Sequence, residues 1–174
     1  MAVATKLRDY QQSMLQELYR AWKRKQSVMV QMPTGTGKTV LMAEVISEAC
    51  RVKSEACGAK SEESAAAQQG GVLVVAHRRE LISQISQTLD GFGVEHGLIV
   101  SGKETDYTQR VQVASIQTLA RRDAASTERE GGFMPSLVIV DEAHHALADT
   151  YRMLWERWPK ARFLGLTATP CRLN

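Results

Sequence analysis

Residues 32–39 carry side chains whose types and order fit the chemistry of holding a phosphate group. This segment combines two glycines with three threonines and a lysine, in the order Met32-Pro33-Thr34-Gly35-Thr36-Gly37-Lys38-Thr39. Glycine lets the backbone curl until successive N–H groups point toward one centre, where they can bind phosphate oxygens. Lys38 is placed to reach the β- and γ-phosphates of a nucleotide, and the Thr39 hydroxyl is placed to bind Mg²⁺.

The flanking sequence predicts the strand and the helix that such a loop needs. An apolar run at residues 27–31 precedes the loop, and a helical pattern begins at Lys38. The first turn of that helix contributes unpaired amides and the positive end of its dipole. The general pattern is G-x-x-x-x-G-K-[ST], and Met32 occupies the position of its first glycine. The alternative is a turn rich in glycine and threonine that only joins a strand to a helix.

A pair of acidic residues forms a second candidate site. Asp141 and Glu142 directly follow the aliphatic run at residues 137–140, so we expect them at the carboxyl edge of a sheet. The phosphate loop opens at the same edge, and the two sites would converge. Asp141 would then hold Mg²⁺, and Glu142 would orient and deprotonate an attacking water. The alternative is a helix N-terminus that favours acidic residues through its dipole.

Two adjacent histidines, His144 and His145, follow the acidic pair. Adjacent positions on a helix face different directions, so these two side chains cannot chelate one metal ion. We expect one of the two to form a hydrogen bond across the site, and His144 is the candidate catalytic residue. The other is then an ordinary surface or core residue.

The rest of the chain predicts an α/β fold. Short apolar runs, typical of parallel strands covered on both faces, occur at 27–32, 72–76, 98–100, 111–114, 137–140 and 163–166. Helical patterns lie between them, at 38–51, 79–90, 116–122 and 144–157, after a first amphipathic helix at 8–24. The apolar stripe of this first helix consists of Tyr10, Met14, Leu15, Leu18, Ala21 and Trp22. Strands alternating with helices predict a mostly parallel central sheet with helices on both faces.

Length and composition indicate one domain over residues 1–174, with an ordinary content of hydrophobic (44%) and charged (24%) residues. The net charge of +3 is compatible with a nucleic-acid partner. Three cysteines without a Cys-x-x-Cys pair argue against a disulfide framework or a zinc site. We expect a cytoplasmic protein with no membrane association, because no apolar stretch approaches about 20 residues.

The polar segment 51–71 either extends the preceding helix or forms a loop or insertion.

Several motifs, taken in order, resemble those of superfamily 2 helicases of the DEAD/DEAH-box type. The phosphate loop resembles motif I, Asp141-Glu142-Ala143-His144 resembles motif II, and Thr167-Ala168-Thr169 resembles motif III. The residues of these motifs are most similar to those of the DEAH-like branch, which includes restriction-enzyme motor subunits. Three further segments are similar to the adenine-reading Q motif, to motif Ia and to a strand-contacting motif: Leu7-Arg8-Asp9-Tyr10-Gln11, Val75-Ala76-His77-Arg78-Arg79-Glu80-Leu81 and Ala114-Ser115-Ile116-Gln117-Thr118-Leu119.

This resemblance implies an N-terminal RecA-like P-loop NTPase domain that binds ATP or ADP with Mg²⁺. The nucleotide contacts are then assigned to the loop, with Lys38 catalytic as well, and to the Q motif: Arg8, Gln11, Pro33, Thr34, Gly35, Thr36, Gly37, Lys38 and Thr39. Gln11 would read adenine, although a polar position on the outer face of the first helix is the alternative. The nucleic-acid contacts are assigned to Arg78, Arg79, Ser115 and Gln117.

Two threonines, Thr167 and Thr169, would couple the nucleotide site to the nucleic-acid face, or would only bond their local backbone. We expect contacts mainly to the nucleic-acid backbone, and DNA rather than RNA. The family also implies a second RecA-like domain, in cis or in trans, which is absent from this chain. The expected function is the ATP-hydrolysing motor domain of a helicase or translocase, slow in isolation. The alternative is a nucleic-acid-binding module switched by a nucleotide, with little turnover.

Overall fold

The computed structural model describes residues 7–33, 35–56, 70–122, 133–143 and 148–168. Six strands and five helices lie in this part of the chain, in alternating order for most of its length. The strands are β1 (Ser27–Gln31), β2 (Gly71–Ala76), β3 (Gly97–Ile99), β4 (Val111–Ser115), β5 (Pro135–Val140) and β6 (Arg162–Thr167). The helices are α1 (Asp9–Trp22), α2 (Lys38–Ala56), α3 (Arg79–Gly91), α4 (Ile116–Arg121) and α5 (Ala148–Arg157).

The six strands form one sheet in the order β1-β6-β5-β2-β4-β3. Every pair of neighbouring strands is parallel. Parallel strands must be joined by crossovers, and the helices that follow β1, β2, β4 and β5 lie in four of these connections. The sequence prediction of an α/β fold with a mostly parallel sheet is confirmed.

Alternate residues of the central strands pack into two separate cores, one on each face of the sheet. In β2, Val72 and Val74 face the core formed with α1, α2 and α3. Leu73 and Val75 of the same strand face the second core, which includes Leu119 of α4 and Leu154 of α5. All six residues of β2 are buried, as expected for an inner strand of a parallel sheet.

The predicted boundaries differ from the structure mainly in one helix. α2 continues to Ala56, so the start of the polar segment 51–71 extends this helix, and residues 57–69 lie outside the described residues. The last helix of the described residues is Ala148–Arg157, and the predicted start at 144 falls on residues 144–147, which lie outside the described residues. Within the described ranges, no helix is both long and apolar enough to cross a bilayer.

The first helix packs on α2 and β1, but its apolar stripe is shorter than the sequence predicts. Leu15, Leu18 and Trp22 are buried in the core. Tyr10 is 40% exposed, so its assignment to the stripe is wrong. The inner position of that first turn belongs to Gln11, which is 4% exposed.

Candidate active site

The phosphate loop joins the end of β1 to the start of α2 at the carboxyl edge of the sheet. Gly35 and Gly37 have φ angles of +81° and +83°, in the left-handed region that glycine adopts without strain. The N–H and the hydroxyl of Thr36 both donate to the Pro33 carbonyl, at 3.3 and 2.6 Å. These bonds close a tight turn just before α2, whose first amides have no partner within the helix. The backbone is therefore curled at the place where the sequence predicts a phosphate site.

Met32 occupies the position at which the general phosphate-loop pattern has a glycine. Its side chain is only 1% exposed and belongs to the core between the sheet and α1 to α3. Its N–H donates to the carbonyl of Thr167 on the neighbouring strand β6, at 2.8 Å. The backbone at Met32 thus continues the sheet pairing, and the turn begins only at Pro33.

Gln11 reaches the loop from α1. Its Nε2 lies 3.3 Å from the Thr36 carbonyl oxygen and 3.4 Å from that of Gly37. Its Oε1 accepts a hydrogen bond from the N–H of Arg8, at 2.9 Å. Gln11 therefore lies on the inner face of the helix, and the outer-face alternative is wrong. Whether Gln11 also reads adenine stays a prediction, as does the role of Arg8, which is exposed.

Lys38 and Glu142 form an ion pair between Nζ and Oε1. The two residues are 104 positions apart in sequence. Their side chains are 12% and 21% exposed, so the pair is largely sheltered from water. The phosphate loop and the acidic pair thus lie side by side, which is the arrangement on which the predicted hydrolytic site depends.

Asp141 and Glu142 occupy a turn directly after β5. The N–H of Asp141 continues the sheet pairing by donating to the Val75 carbonyl at 3.0 Å, and the N–H of Glu142 donates to the Asp141 carboxylate at 3.0 Å. Glu142 has a φ of +51°. Among the described residues it is the only one other than glycine with a positive φ. Such a backbone is uncommon for a glutamate, and the side chain at this position pairs with Lys38.

Burial raises the pKa of the Asp141 carboxyl above its ordinary value. The Lys38 ammonium group opposes this shift, the Glu142 carboxylate adds to it, and His77 opposes it. A half-buried carboxylate next to a second carboxylate is stabilised in its ionised form by any additional cation. The Asp141 carboxylate and the Thr39 hydroxyl fit Mg²⁺, which binds carboxylate and hydroxyl oxygens.

The ends of β2 and β4 bring together the residues with predicted nucleic-acid contacts. Ala76 pairs with Ser115 in the sheet, so Arg78 and Arg79 follow β2 close to the point where Ser115 ends β4. The Ser115 hydroxyl donates to Gln117 Oε1 at 2.7 Å, and Gln117 Nε2 donates to the His77 carbonyl at 3.0 Å. The two arginines and Gln117 are exposed. The geometry makes one continuous polar edge beside Asp141.

Thr167 ends β6, is 1% exposed, and pairs with Gln31 of β1. Its carbonyl accepts a hydrogen bond from the N–H of Met32, which directly precedes the turn of the phosphate loop. This position is compatible with the predicted coupling role, which stays a prediction. Three other predicted site residues, Thr34, His144 and Thr169, lie outside the described residues.

Sequence reasoning assigned no site role to Tyr10 or to His77. The Tyr10 hydroxyl donates to the Thr36 carbonyl at 2.5 Å. The carbonyl of His77 accepts from Gln117, and His77 lies close enough to Asp141 to lower its pKa. The only sequence signal for either residue is its position inside a recognised motif.

Comparison with known proteins gives matches over nearly the whole chain. The chain is 30% identical over 147 residues to a 51.5 kDa protein of a Lactococcus phage (isolate 7-9), a match that covers 84% of this chain and 25% of the phage protein. It is 25% identical over 167 residues to the DNA 3'-5' translocase XPB2 of Sulfurisphaera tokodaii, which covers 95% of this chain and 31% of that protein. The chain therefore spans about a quarter to a third of these relatives.

The fold is similar to that of the SWI2/SNF2 ATPase core of Sulfolobus solfataricus, solved in complex with dsDNA. The TM-score is 0.70 at 15% identity, over 97% of this chain and 33% of that chain. Residues 4–172 also match the protein family described as type III restriction enzyme, res subunit. The chain belongs to this family, and its fold is the N-terminal RecA-like domain of superfamily 2 helicases.

Proposed function

We propose that this chain is the ATP-binding and ATP-hydrolysing part of a motor that moves along nucleic acid. The ion pair between Lys38 of the phosphate loop and Glu142 of the acidic turn is the observation that carries this proposal. It joins the ammonium group proposed to bind phosphate and the carboxylate proposed to activate water, in a place that is largely sheltered from water. The relatives named as a translocase and as an ATPase core support the same function.

Each residue of the site has one proposed task. The amides of the curled loop and of the first turn of α2 bind the phosphates, and Lys38 neutralises part of their charge. When Lys38 turns to the phosphates, Glu142 is released from the ion pair and becomes able to orient water and accept its proton. Outside the described residues, His144 and Thr34 keep the roles that the resemblance implies.

The residues that would hold Mg²⁺ are Thr39, through its hydroxyl, and Asp141, through its carboxylate. When bound, Mg²⁺ would neutralise part of the phosphate charge. The raised pKa of Asp141 supports this assignment, because the ionised form of such a carboxylate is costly without a further cation.

Nucleic acid would bind along the polar edge formed by Arg78, Arg79, Ser115 and Gln117. Guanidinium groups and helix amides favour phosphates over bases, so we propose contacts mainly to the backbone. DNA is the proposed partner, because the named translocase acts on DNA and the solved ATPase core is bound to dsDNA. A second RecA-like domain, in cis or in trans, would complete the site with a residue that stabilises the transition state.

Two substitutions test the nucleotide site. Lys38→Ala should weaken the binding of Mg·ADP by roughly tenfold or more, because it removes the charge that faces the phosphates. Glu142→Gln should keep the binding of Mg·ADP and abolish the slow ATP hydrolysis that we expect of the purified protein. Titration calorimetry and release of inorganic phosphate are the two measurements. Unchanged Mg·ADP affinity in the Lys38 variant contradicts the proposed site.

The same Glu142 variant separates the proposal from a nucleotide-switched module with little turnover. Such a module needs no water-activating carboxylate, so its nucleotide-dependent behaviour would be identical in the wild-type protein and the Gln variant. The presence of Glu142 against the loop favours hydrolysis.

A further inference from the structure

The carbonyl group of Thr36 in the phosphate loop accepts two hydrogen bonds from the first turn of α1. The Tyr10 hydroxyl donates at 2.5 Å and Gln11 Nε2 donates at 3.3 Å. Gln11 also lies 3.4 Å from the Gly37 carbonyl oxygen. One helix therefore holds the loop at two successive peptides.

Holding this carbonyl group fixes the direction of an amide. In a trans peptide the C=O of one residue and the N–H of the next point in opposite directions, and no peptide is cis in the part of the chain that the structure describes. With the Thr36 C=O turned toward α1, the N–H of Gly37 must point away from α1. Gly37 lies in the loop whose inward-facing amides are the proposed phosphate ligands.

The bonds within residues 33–36 do not fix the Thr36–Gly37 peptide against the body of the protein, and the bond from α2, Leu41 N–H to the Gly37 carbonyl at 3.0 Å, holds the following peptide. The N–H and the hydroxyl of Thr36 both donate to Pro33, only three residues earlier, so they shape the turn without anchoring it. The Gln11 contacts to the two carbonyls are long, at 3.3 and 3.4 Å. The Tyr10 hydroxyl makes the shortest of these hydrogen bonds from α1 to the loop.

We propose that Tyr10 is a positioning residue for phosphate binding, whose hydroxyl orients the Gly37 amide through the Thr36 carbonyl. This inference rests on the proposed function, in which the loop binds the phosphates of a nucleotide. The Tyr10 ring is 40% exposed, so the bond competes with water and its loss has a moderate effect. Because the action is on the loop, it is independent of the nucleotide base.

Tyr10→Phe removes the hydroxyl and keeps the ring. We expect roughly three- to tenfold weaker binding of Mg·ADP, Mg·GDP and inorganic pyrophosphate, by a common factor, as for the loss of one hydrogen bond. Titration calorimetry with the three ligands measures this. A loss for ADP alone, with pyrophosphate unchanged, would show a contact to the base and overturn the proposal. Unchanged affinities for all three would overturn it as well.

Tyr19→Phe is the matched control. Tyr19 lies on the same helix, and its hydroxyl bonds Glu48 of α2 instead of the loop. Its loss should lower the melting temperature and leave the three affinities unchanged. If Tyr19→Phe weakened them as much as Tyr10→Phe does, the effect would be general destabilisation and the positioning role would fail.

A measurement without any ligand distinguishes this proposal from the proposed function. The ¹⁵N relaxation of the Gly37 amide should show fast motion of larger amplitude in Tyr10→Phe than in the wild-type protein. Equal motion in both proteins would overturn the positioning role. If the wild-type protein bound none of the three ligands, the proposed function would fail, whereas the relaxation result would still decide whether Tyr10 holds the loop.

Discussion

Lys38 of the phosphate loop and Glu142 of the acidic turn are ion-paired, and their side chains are only 12% and 21% exposed. The ammonium group that should bind phosphate is neutralised by the carboxylate that should activate water. This contact pairs both charges in a sheltered place, where an unpaired charge would be costly. Under the proposed function, nucleotide binding would exchange the Glu142 carboxylate for phosphate oxygens as the partner of Lys38.

A double-mutant cycle with Lys38→Met and Glu142→Gln should give a coupling energy of about 1–3 kcal/mol without added nucleotide, because the pair is only slightly exposed. The coupling should largely disappear in saturating Mg·ADP, when Lys38 faces phosphate. Urea unfolding of the four proteins, with and without the nucleotide, measures both values.

The exposed pair Arg152 and Glu156 provides the comparison for that cycle. Its side chains are 76% and 69% exposed, so its coupling energy should be smaller and independent of nucleotide. A Lys38–Glu142 coupling that persists unchanged with Mg·ADP would mean that the pair does not open for phosphate.

The two loop glycines should respond differently to alanine. Both have a positive φ, so each substitution should cost about 1 kcal/mol of stability from backbone strain. At Gly35 an added Cβ would meet nothing within 4 Å, whereas at Gly37 it would lie 2.6 Å from Gln11 Nε2. Gly37→Ala should therefore be the more destabilising variant, as chemical denaturation would show.

The excess cost at Gly37 comes from a single neighbour, which makes it testable. In the background Gln11→Ala the crowding is removed, so the difference between the Gly37 and Gly35 variants should shrink. Additive costs of Gly37→Ala and Gln11→Ala would show that the close approach of Gln11 is not the cause.

The raised pKa of Asp141 predicts a pH dependence of stability. The ordinary pKa is 3.8, and burial raises it in the folded protein. At pH values between the ordinary pKa and the raised pKa, the folded state binds more protons than the unfolded state. The stability that Asp141 contributes therefore falls as the pH rises from the ordinary pKa through the raised one. Asp141→Asn lacks this group and should show a flatter pH profile just above the ordinary pKa than the wild-type protein.

Mg²⁺ should reverse part of this effect, since it competes with the proton for the same carboxylate. Thermal unfolding of both proteins at several pH values, with and without Mg·ADP, tests the prediction. Identical pH profiles of wild type and Asp141→Asn would contradict it.

The exposed arginines at the start of α3 should contribute to nucleic-acid binding through phosphates. Substituting both Arg78 and Arg79 with Gln should weaken single-stranded DNA binding and reduce the salt slope by roughly 1–1.5 units, at about 0.7 for each phosphate that is no longer neutralised. Fluorescence anisotropy at several salt concentrations measures the slope. Arg152→Gln on α5 is the control, and an equal change there would point to overall charge instead of a site.

The sequence contains enough information for the sheet and for the two segments that carry the chemistry, but not for the contacts between them. Buried strands such as β2 are visible as apolar runs, and the spacing of Lys38 and Thr39 is local. The hydrogen bonds from Tyr10 and Gln11 to Thr36 depend on how α1 packs against β1, which is a tertiary relation that no periodicity encodes. The left-handed backbone of Glu142 and its ion pair with Lys38, 104 positions away in sequence, are likewise not visible in any local pattern.

Met32 illustrates how a departure from a motif is explained by packing. Met32→Gly restores the general loop pattern, yet it should destabilise the protein by about 3 kcal/mol or more, because it empties a core position that is 1% exposed and adds backbone freedom. Affinity for Mg·ADP should not improve, since the backbone at this position is already held by the Thr167 carbonyl. Chemical denaturation and calorimetry measure the two effects, with Met134→Gly at a half-exposed position as the control. Tighter nucleotide binding by Met32→Gly would show that the methionine restricts the loop.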